Sequence, residues 1–295
     1  MELSRPKSVL ITGASSGIGR ACALRLDREG FRVYAGIRKP KDGETLRREA
    51  GPRLRPVMID VTDAESIARA TREVRGDLSA AGLDGLVNNA GFGDPGPIEY
   101  MPLESLKRQF EVNVFGQIAV IQAFLPLIRQ ATGRIINIGS VGDRITIPFG
   151  GALCGSKSAF ATLTEALRLE LRPWGIYVCL IEPASISTPA VDKTASGGRK
   201  LLESLPGEGV RQYGQLLQTF LDRSMSRVKE GSPPDVVAAT VLQALTASKP
   251  RTRYPTGKNA RLLTAMARLP DGILDRLRLR MFGLPGRFGA LASSH

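Results

Sequence analysis

Short apolar runs alternate with longer stretches in which apolar residues return every three or four positions. Strands buried on both faces need continuous apolar side chains, whereas the helices crossing between them need only one apolar stripe. The alternation therefore predicts a parallel sheet wrapped by helices. Strands are predicted at 8–12, 32–37, 55–59, 83–88, 134–138 and 177–181, with a short seventh at 252–254. Helices are predicted at 18–28, 63–80, 103–130 and 152–171. Another opens at Ser232-Pro233-Pro234-Asp235, where a hydroxyl can cap the first turn and prolines can occupy it. Residues 187–229 show no clean period and read as a less regular segment. With no repeat and no linker, the expected fold class is α/β, a doubly wound parallel sheet of Rossmann type. It forms a single domain over 1–256, with a lid at 187–229, and carries a C-terminal helical appendage over 257–295.

Composition narrows the function classes. A chain of 295 residues that is 42% hydrophobic buries a large core. Cys22, Cys154 and Cys179 are scattered without disulfide or ligand spacing, which fits a reducing, cytoplasmic setting. The single histidine, His295, is the last residue, so neither histidine catalysis nor a metal site is expected. Residues 1–7 lack the apolar core of a secretion signal, and no uninterrupted apolar stretch is long enough for a bilayer. The net charge of +13 could favour anionic partners. Many arginines, however, sit beside carboxylates at helical positions, as in Arg47-Arg48-Glu49 and Arg168/Glu170/Arg172, so no nucleic-acid partner is expected.

The candidate chemistry begins at Thr12-Gly13-Ala14-Ser15-Ser16-Gly17-Ile18-Gly19, between the first strand and the first helix. Glycines there let backbone approach a pyrophosphate, and the helix N-terminus offers free N–H groups and positive dipole. The spacing is G-x-x-x-G-x-G, and its bland alternative is a tight strand-to-helix turn. Asp60-Val61 ends the third strand, where a carboxylate can take an adenine amino group. Asn88-Asn89-Ala90-Gly91 ends the fourth, where small residues leave room beside the adenosine ribose. Three such turns at adjacent carboxyl ends match where open α/β sheets bind ligands.

Together with Asn113, Ser140, Lys157 and Pro183…Thr188, these pieces run in the order and spacing of the short-chain dehydrogenase/reductase family, which the chain resembles over roughly its first 250 residues. Arg172-Pro173-Trp174-Gly175-Ile176 and the stretch at 181–189 look most like the branch acting on retinols and hydroxysteroids. The resemblance implies a nicotinamide dinucleotide held by Gly13, Ser15, Ser16, Gly17, Ile18, Gly19, Arg38, Asp60, Val61, Asn89, Ala90, Gly91, Lys157, Pro183, Ile186 and Thr188. It also implies catalytic roles for Ser140 (steadying the substrate oxygen), Lys157 (holding the nicotinamide ribose) and Asn113 (supporting a water relay). The family's proton donor is a tyrosine four residues before the lysine, and Leu153 stands there. Neighbouring Ala152 and Cys154 are not acids of suitable strength. Ala184 replaces the family's usual glycine after Pro183, and Gly155 its usual alanine.

NAD-specific sites place a carboxylate at the end of the second strand. Ile37 stands here, followed by Arg38-Lys39, and a guanidinium suits a 2′-phosphate, so NADP(H) is expected over NAD(H). Leu201, Leu202, Leu205, Leu216, Leu217 and Phe220 of the lid are candidate walls for a lipophilic alcohol or ketone, or simply glue for the lid. Two substitutes for the missing acid are water held by Lys157 and the lid's Tyr213. Absence of the phenol equally favours a coenzyme-binding pseudoenzyme or a non-redox catalyst. Beyond Tyr254, Lys258, Arg261, Arg268, Arg276, Arg278, Arg280 and Arg287 face only Asp271 and Asp275. Leu262, Leu263, Met266, Ile273, Leu274, Leu277 and Met281 supply the apolar face, which is expected to pack on the domain or a partner subunit, a peripheral membrane contact being the other reading. The resemblance further implies a homodimer or homotetramer.

Overall fold

The computed structural model describes residues 5–286, so Arg287 and His295 lie outside the described residues. Strands β1 (Ser8–Ile11), β2 (Arg32–Ile37), β3 (Leu54–Met58), β4 (Gly85–Asn88), β5 (Arg134–Ile138), β6 (Tyr177–Pro183) and β7 (Arg253–Thr256) form one parallel sheet in the order 3-2-1-4-5-6-7. β1 lies centrally, with Ile11 beside Ala35 of β2 and Val87 of β4. The strand order reverses there, and the carboxyl ends open a crevice at that switch point.

Successive strand residues point to opposite faces, which divides the core in two. Val9, Ile11, Val33, Ile136 and Ile181 meet helices α1 (Gly17–Arg28) and α10 (Pro234–Thr246) through Cys22, Leu26, Val237 and Val241. Leu10, Tyr34, Leu86, Ile135 and Val178 meet α3 (Ala64–Leu78), α5 (Gly116–Ala131) and α6 (Gly151–Leu171) through Ile67, Val74, Ile121, Phe124 and Leu171. Each fully buried aliphatic side chain of this kind contributes roughly 1.5–3 kcal/mol. Asp63 starts α3 by accepting the Glu65 N–H at 2.9 Å.

Most predicted elements form, with shifts of one or two residues at their ends; β6 runs on to Pro183 and β7 to Thr256. Helix α2 (Pro40–Glu49) was not expected. Residues 187–229 are not irregular: they form α7 (Ala190–Ser204), the single turn α8 (Gly207–Gly209), a π-helical turn (Val210–Gly214) and α9 (Gln215–Lys229). Ser232 does not cap α10. The helix begins after Pro233 without a side-chain cap, and the Ser232 hydroxyl instead accepts the Lys258 N–H at 2.9 Å, tying α10's approach to the segment after β7. The predicted helix at 103–130 is α4 (Leu103–Phe110) and α5 joined by a π-helical turn, Glu111–Phe115. This Leu103–Ala131 rod has the length and mean apolarity of a bilayer-crossing helix, but half of its most apolar window is buried in the fold.

Among the described residues, the appendage forms α11 (Ala260–Met266) and α12 (Asp271–Met281). Leu279, Met281, Phe282 and Leu284 join Leu217, Phe220 and Leu221 of α9, with Ile147 and Phe149, in a third apolar cluster. The C-terminal segment thus packs on its own domain against α9, while Leu262, Leu269 and Ile273 remain exposed.

Candidate active site

The glycine turn is built by its neighbours as much as by its own residues. Gly13 and Gly17 take positive φ values of 64° and 56°. A Cβ on Gly13 would lie 2.9 Å from the Ala90 Cα. Thr12 Oγ1 accepts the N–H groups of Asn89 and Ala90, and the Asn89 amide donates to the carbonyls of Thr12 and Gly13. Asn89 therefore fixes the turn's shape. Thr188, from the segment after β6, rests on Gly17, where an added Cβ would come within 3.2 Å of its Cβ. Ser16 precedes α1 without a side-chain cap bond, so the first-turn N–H groups face the crevice uncapped by it.

Asp60 Oδ1 accepts the backbone N–H and hydroxyl of Thr62. Partial burial opposes its ionisation, but those bonds and the charge of exposed Arg38 outweigh it and lower its pKa. Val61 is buried against Gly116 at the start of α5. The Ile186 side chain lies in the core near Gly257.

The π-helical turn places Asn113 where a regular helix would not, a common device at functional sites. Asn113 is fully buried. Its Nδ2 donates to the Phe92 carbonyl at 2.8 Å and to Ser156 Oγ at 3.0 Å, and its Oδ1 accepts the Phe92 N–H at 3.0 Å. Ser156 Oγ in turn donates to the Leu153 carbonyl. The partners expected from a water relay are thus direct protein groups. They form a chain from the β4 edge to α6 at Leu153.

Ser140, two residues beyond β5, is extended, and its Oγ accepts the Gly142 N–H at 3.0 Å, which leaves the hydroxyl hydrogen for another acceptor. Lys157, one turn after Leu153, is buried and donates from Nζ to the Ile138 carbonyl at 2.7 Å. Burial pushes its pKa down to about 8, against an upward pull from Asp143. Gly91 lies between Asn113 and Lys157; a Cβ there would sit 3.0 Å from Asn113 Oδ1 and 3.6 Å from Lys157 Nζ. Half-buried Leu153 faces Gly93, filling the space a side chain would take at that glycine.

Burial raises the Cys154 thiol above its ordinary range. Tyr213 donates its hydroxyl to the Glu99 carboxylate at 2.8 Å, which raises its own pKa, and its ring meets Tyr100 and Phe149 edge-on. Its hydroxyl is thus engaged by Glu99. Lid residues Leu217 and Phe220 are glue to the C-terminal segment, whereas Leu201 lies over Gly96 at the crevice rim. Ion pairs around Asp143, Glu182 and Arg253 were missed by sequence reasoning, because their members are far apart in the chain.

Residues 7–198 match the family model described as short chain dehydrogenase. Retinol dehydrogenase 5 of Homo sapiens is 38% identical over 276 residues, covering 90% of this chain and 86% of that protein. Retinol dehydrogenase 16 of Mus musculus is 37% identical, covering 92% and 87% respectively. Among solved structures, a short-chain dehydrogenase from Streptomyces avermitilis superposes with a TM-score of 0.74 at 26% identity, covering 96% of this chain and 97% of its own. Another from Burkholderia cenocepacia, in complex with NADP, gives 0.71 at 26% identity, covering 93% and 98%. The glycine turn, the seven-stranded sheet and these likenesses lead to one assignment: the chain belongs to the short-chain dehydrogenase family, the oxidoreductases that act on CH–OH groups.

Proposed function

We propose that this protein interconverts a lipophilic secondary alcohol and its ketone with NADP(H), delivering the proton without a tyrosine. The reading is supported by Asn113 and Lys157 flanking Gly91, with Lys157 bonded to the Ile138 carbonyl two residues before Ser140, beside a glycine turn with an uncapped helix N-terminus. Those features fit a dinucleotide. When bound, the coenzyme supplies or accepts hydride at the substrate carbon. Gly13, Ser15, Ser16, Gly17, Ile18 and Gly19 cradle its pyrophosphate. Asp60 and Val61 take the adenine, Asn89, Ala90 and Gly91 border the adenosine ribose, and Arg38 pairs with a 2′-phosphate. Pro183, Ile186 and Thr188 flank the nicotinamide end. Lys157 holds the nicotinamide ribose, and Ser140 donates its free hydrogen to the substrate oxygen. The proton then comes from water held by Lys157. The NADP-bound relative supports the coenzyme choice, and relatives named retinol dehydrogenases, with an apolar lid, support a retinoid- or steroid-like carbonyl.

Loss of a positioned general acid costs roughly 10²–10⁴-fold in rate, while proximity alone supplies about 7–11 kcal/mol of barrier lowering. Slow turnover is therefore expected. The test is NADPH oxidation by purified protein against retinoid, steroid and aryl ketones; coenzyme binding without turnover of any of them refutes the reading. That outcome belongs to the second reading, a coenzyme-binding pseudoenzyme or non-redox catalyst, which Leu153 favours. We also propose a homodimer or homotetramer, supported by exposed Leu103, Phe115 and Leu169 on α4, the π turn and α6; light scattering tests it, and a monomer contradicts it. A cytoplasmic protein with peripheral contact to anionic membrane is supported by exposed Leu262, Leu269 and Ile273 beside Arg261, Arg268 and Arg276. Failure to cosediment with anionic vesicles contradicts it.

A further inference from the structure

The backbone leaves the sheet after Asn88, yet one side of it stays hydrogen-bonded at every second residue. Three buried amides stand four apart along the helical rod: Gln109 in α4, Asn113 in the π-helical turn and Gln117 in α5. Gln109 Oε1 accepts the Asp94 N–H at 3.1 Å, and its Nε2 donates to the Asp94 carbonyl at 3.4 Å. Asn113 brackets the Phe92 N–H and carbonyl in the same way, at 3.0 and 2.8 Å. Gln117 Nε2 donates to the Ala90 carbonyl, and to that of Val112 at 3.1 Å. The Ala90 N–H already goes to Thr12 Oγ1 at 3.0 Å, so the carbonyl is what remains for Gln117. Its own Oε1 is buried without a partner among the described residues, so Gln117 acts here as a donor. Residues 94, 92 and 90 are thus met in turn by 109, 113 and 117 of a helix running the other way.

Simple geometry accounts for the match. Four residues of helix rise about 6 Å, and two residues of extended chain span about 6.6 Å, so the two sets of steps keep pace. Two such steps along a regular helix would drift by about 80° around its axis; the wider π-helical turn between them takes part of that drift back. A neutral amide carries both donor and acceptor, so it can serve the two backbone groups of one residue without burying a charge. We infer that Gln109, Asn113 and Gln117 form a ladder that stands in for a sheet neighbour and holds residues 90–94 in place along the crevice. Gln117 is then a positioning residue for the coenzyme side, and Gln109 one for the lid side. The intervening residues meet the reacting end: Gly91 lies beside Lys157, and Gly93 against Leu153. At the lid end Asp94 also pairs with Arg108 at 2.9 Å, and Gly197 and Gly198 of α7 lie against Asp94 and Pro95.

This inference rests on the proposed place of Ala90 beside the adenosine ribose, and its test keeps the two apart. Affinity for adenosine 2′,5′-bisphosphate, the adenosine end of NADPH, is measured by calorimetry, and backbone hydrogen exchange is measured by NMR without ligand. Gln117→Met, which keeps the length and loses the donor, should weaken binding by on the order of tenfold and speed exchange at the Ala90 and Phe92 N–H groups. Gln109→Met should leave that affinity unchanged and speed exchange at Asp94, whose N–H loses its acceptor. Tyr34→Phe, which removes a buried hydroxyl's bond to Asp77 at the C-terminal end of α3, should change neither readout. Unmoved affinity in Gln117→Met, equal weakening in Gln109→Met or Tyr34→Phe, or unmoved exchange at Ala90 and Phe92 overturns the proposal. Should Gln117→Met not fold, Gln117→Asn, one methylene short of the Ala90 carbonyl, takes its place with the same expected result. A natural chain that binds neither the bisphosphate nor NADPH sinks the proposed function, while hydrogen exchange still decides whether the ladder holds the strip.

Discussion

Restoring a phenol at position 153 should convert a slow catalyst into a fast one. Residue 153 lies one helical turn before Lys157, on the same face, where side chains four apart stand about 5–6 Å apart at Cβ. The Leu153 backbone is pinned through Ser156 and Asn113 to Phe92, so a new side chain would start from a fixed point. The side chain at 153 occupies space that bare Gly93 leaves open: Leu153 Cβ and Cδ2 lie 3.2 and 2.9 Å from where a Cβ on Gly93 would be. A phenol there would sit near the Lys157 ammonium, which lowers its pKa. A positioned general acid is worth roughly 10²–10⁴-fold, or about 3–5 kcal/mol of barrier. Leu153→Tyr should raise kcat for ketone reduction within that range and leave NADPH affinity nearly unchanged. Leu153→Phe, which has the ring without the hydroxyl, should gain nothing. The assay is NADPH oxidation with a panel of aryl and steroid ketones, beside melting curves for each variant. A folded, coenzyme-binding Leu153→Tyr no faster than the natural chain, or a Leu153→Phe equally improved, refutes the reasoning.

Arg38→Ala should weaken NADPH binding by roughly 10–100-fold, the worth of a charge-assisted hydrogen bond of about 1.5–3 kcal/mol, and leave NADH binding nearly untouched; equal weakening of both in a fluorescence titration contradicts the role. Lys157 carries its proton below about pH 8 and loses it above, so coenzyme affinity should fall as pH rises through that value. The same group costs stability while charged: the unfolded chain keeps the proton up to about 10.5, so Lys157→Met should raise the melting temperature near neutrality, with the gain shrinking between pH 8 and 10.5. A gain that grows with pH contradicts this. Asn113→Ala removes the partners of the half-buried Phe92 N–H and carbonyl, at roughly 1–3 kcal/mol at most per orphaned group; urea unfolding should show the loss, and an unchanged midpoint contradicts the assigned bonds.

The strands and the glycine turn were legible because parallel strands leave continuous apolar runs, and Gly13, Gly17 and Gly19 cluster directly after one of them. The lid was not. Helix α7 contains Ser196-Gly197-Gly198, which depresses intrinsic helix propensity. Packing overrides it: a Cβ on Gly198 would lie 2.9 Å from the Pro95 Cγ, so the glycines let the helix lie close on the crevice rim. Helix α2 escaped notice for a different reason. Leu46 is its one large buried apolar residue, so it shows no period. At the site, Ser140, Lys157 and Asn113 are readable as types at family spacing, but the bonds joining Asn113 to Phe92 and Ser156 are tertiary and leave no local trace. The grouping of Asp143, Glu182 and Arg253 is equally invisible, because three separate elements bring it together.

Every step proposed here depends on a nicotinamide dinucleotide lying along the carboxyl edge from Arg38 to Lys157. The most direct measurement is a fluorescence titration of the purified natural chain with NADPH and, separately, NADH. Saturable binding of both, with NADPH the tighter ligand, is the predicted result; a chain that binds neither contradicts the account at its root.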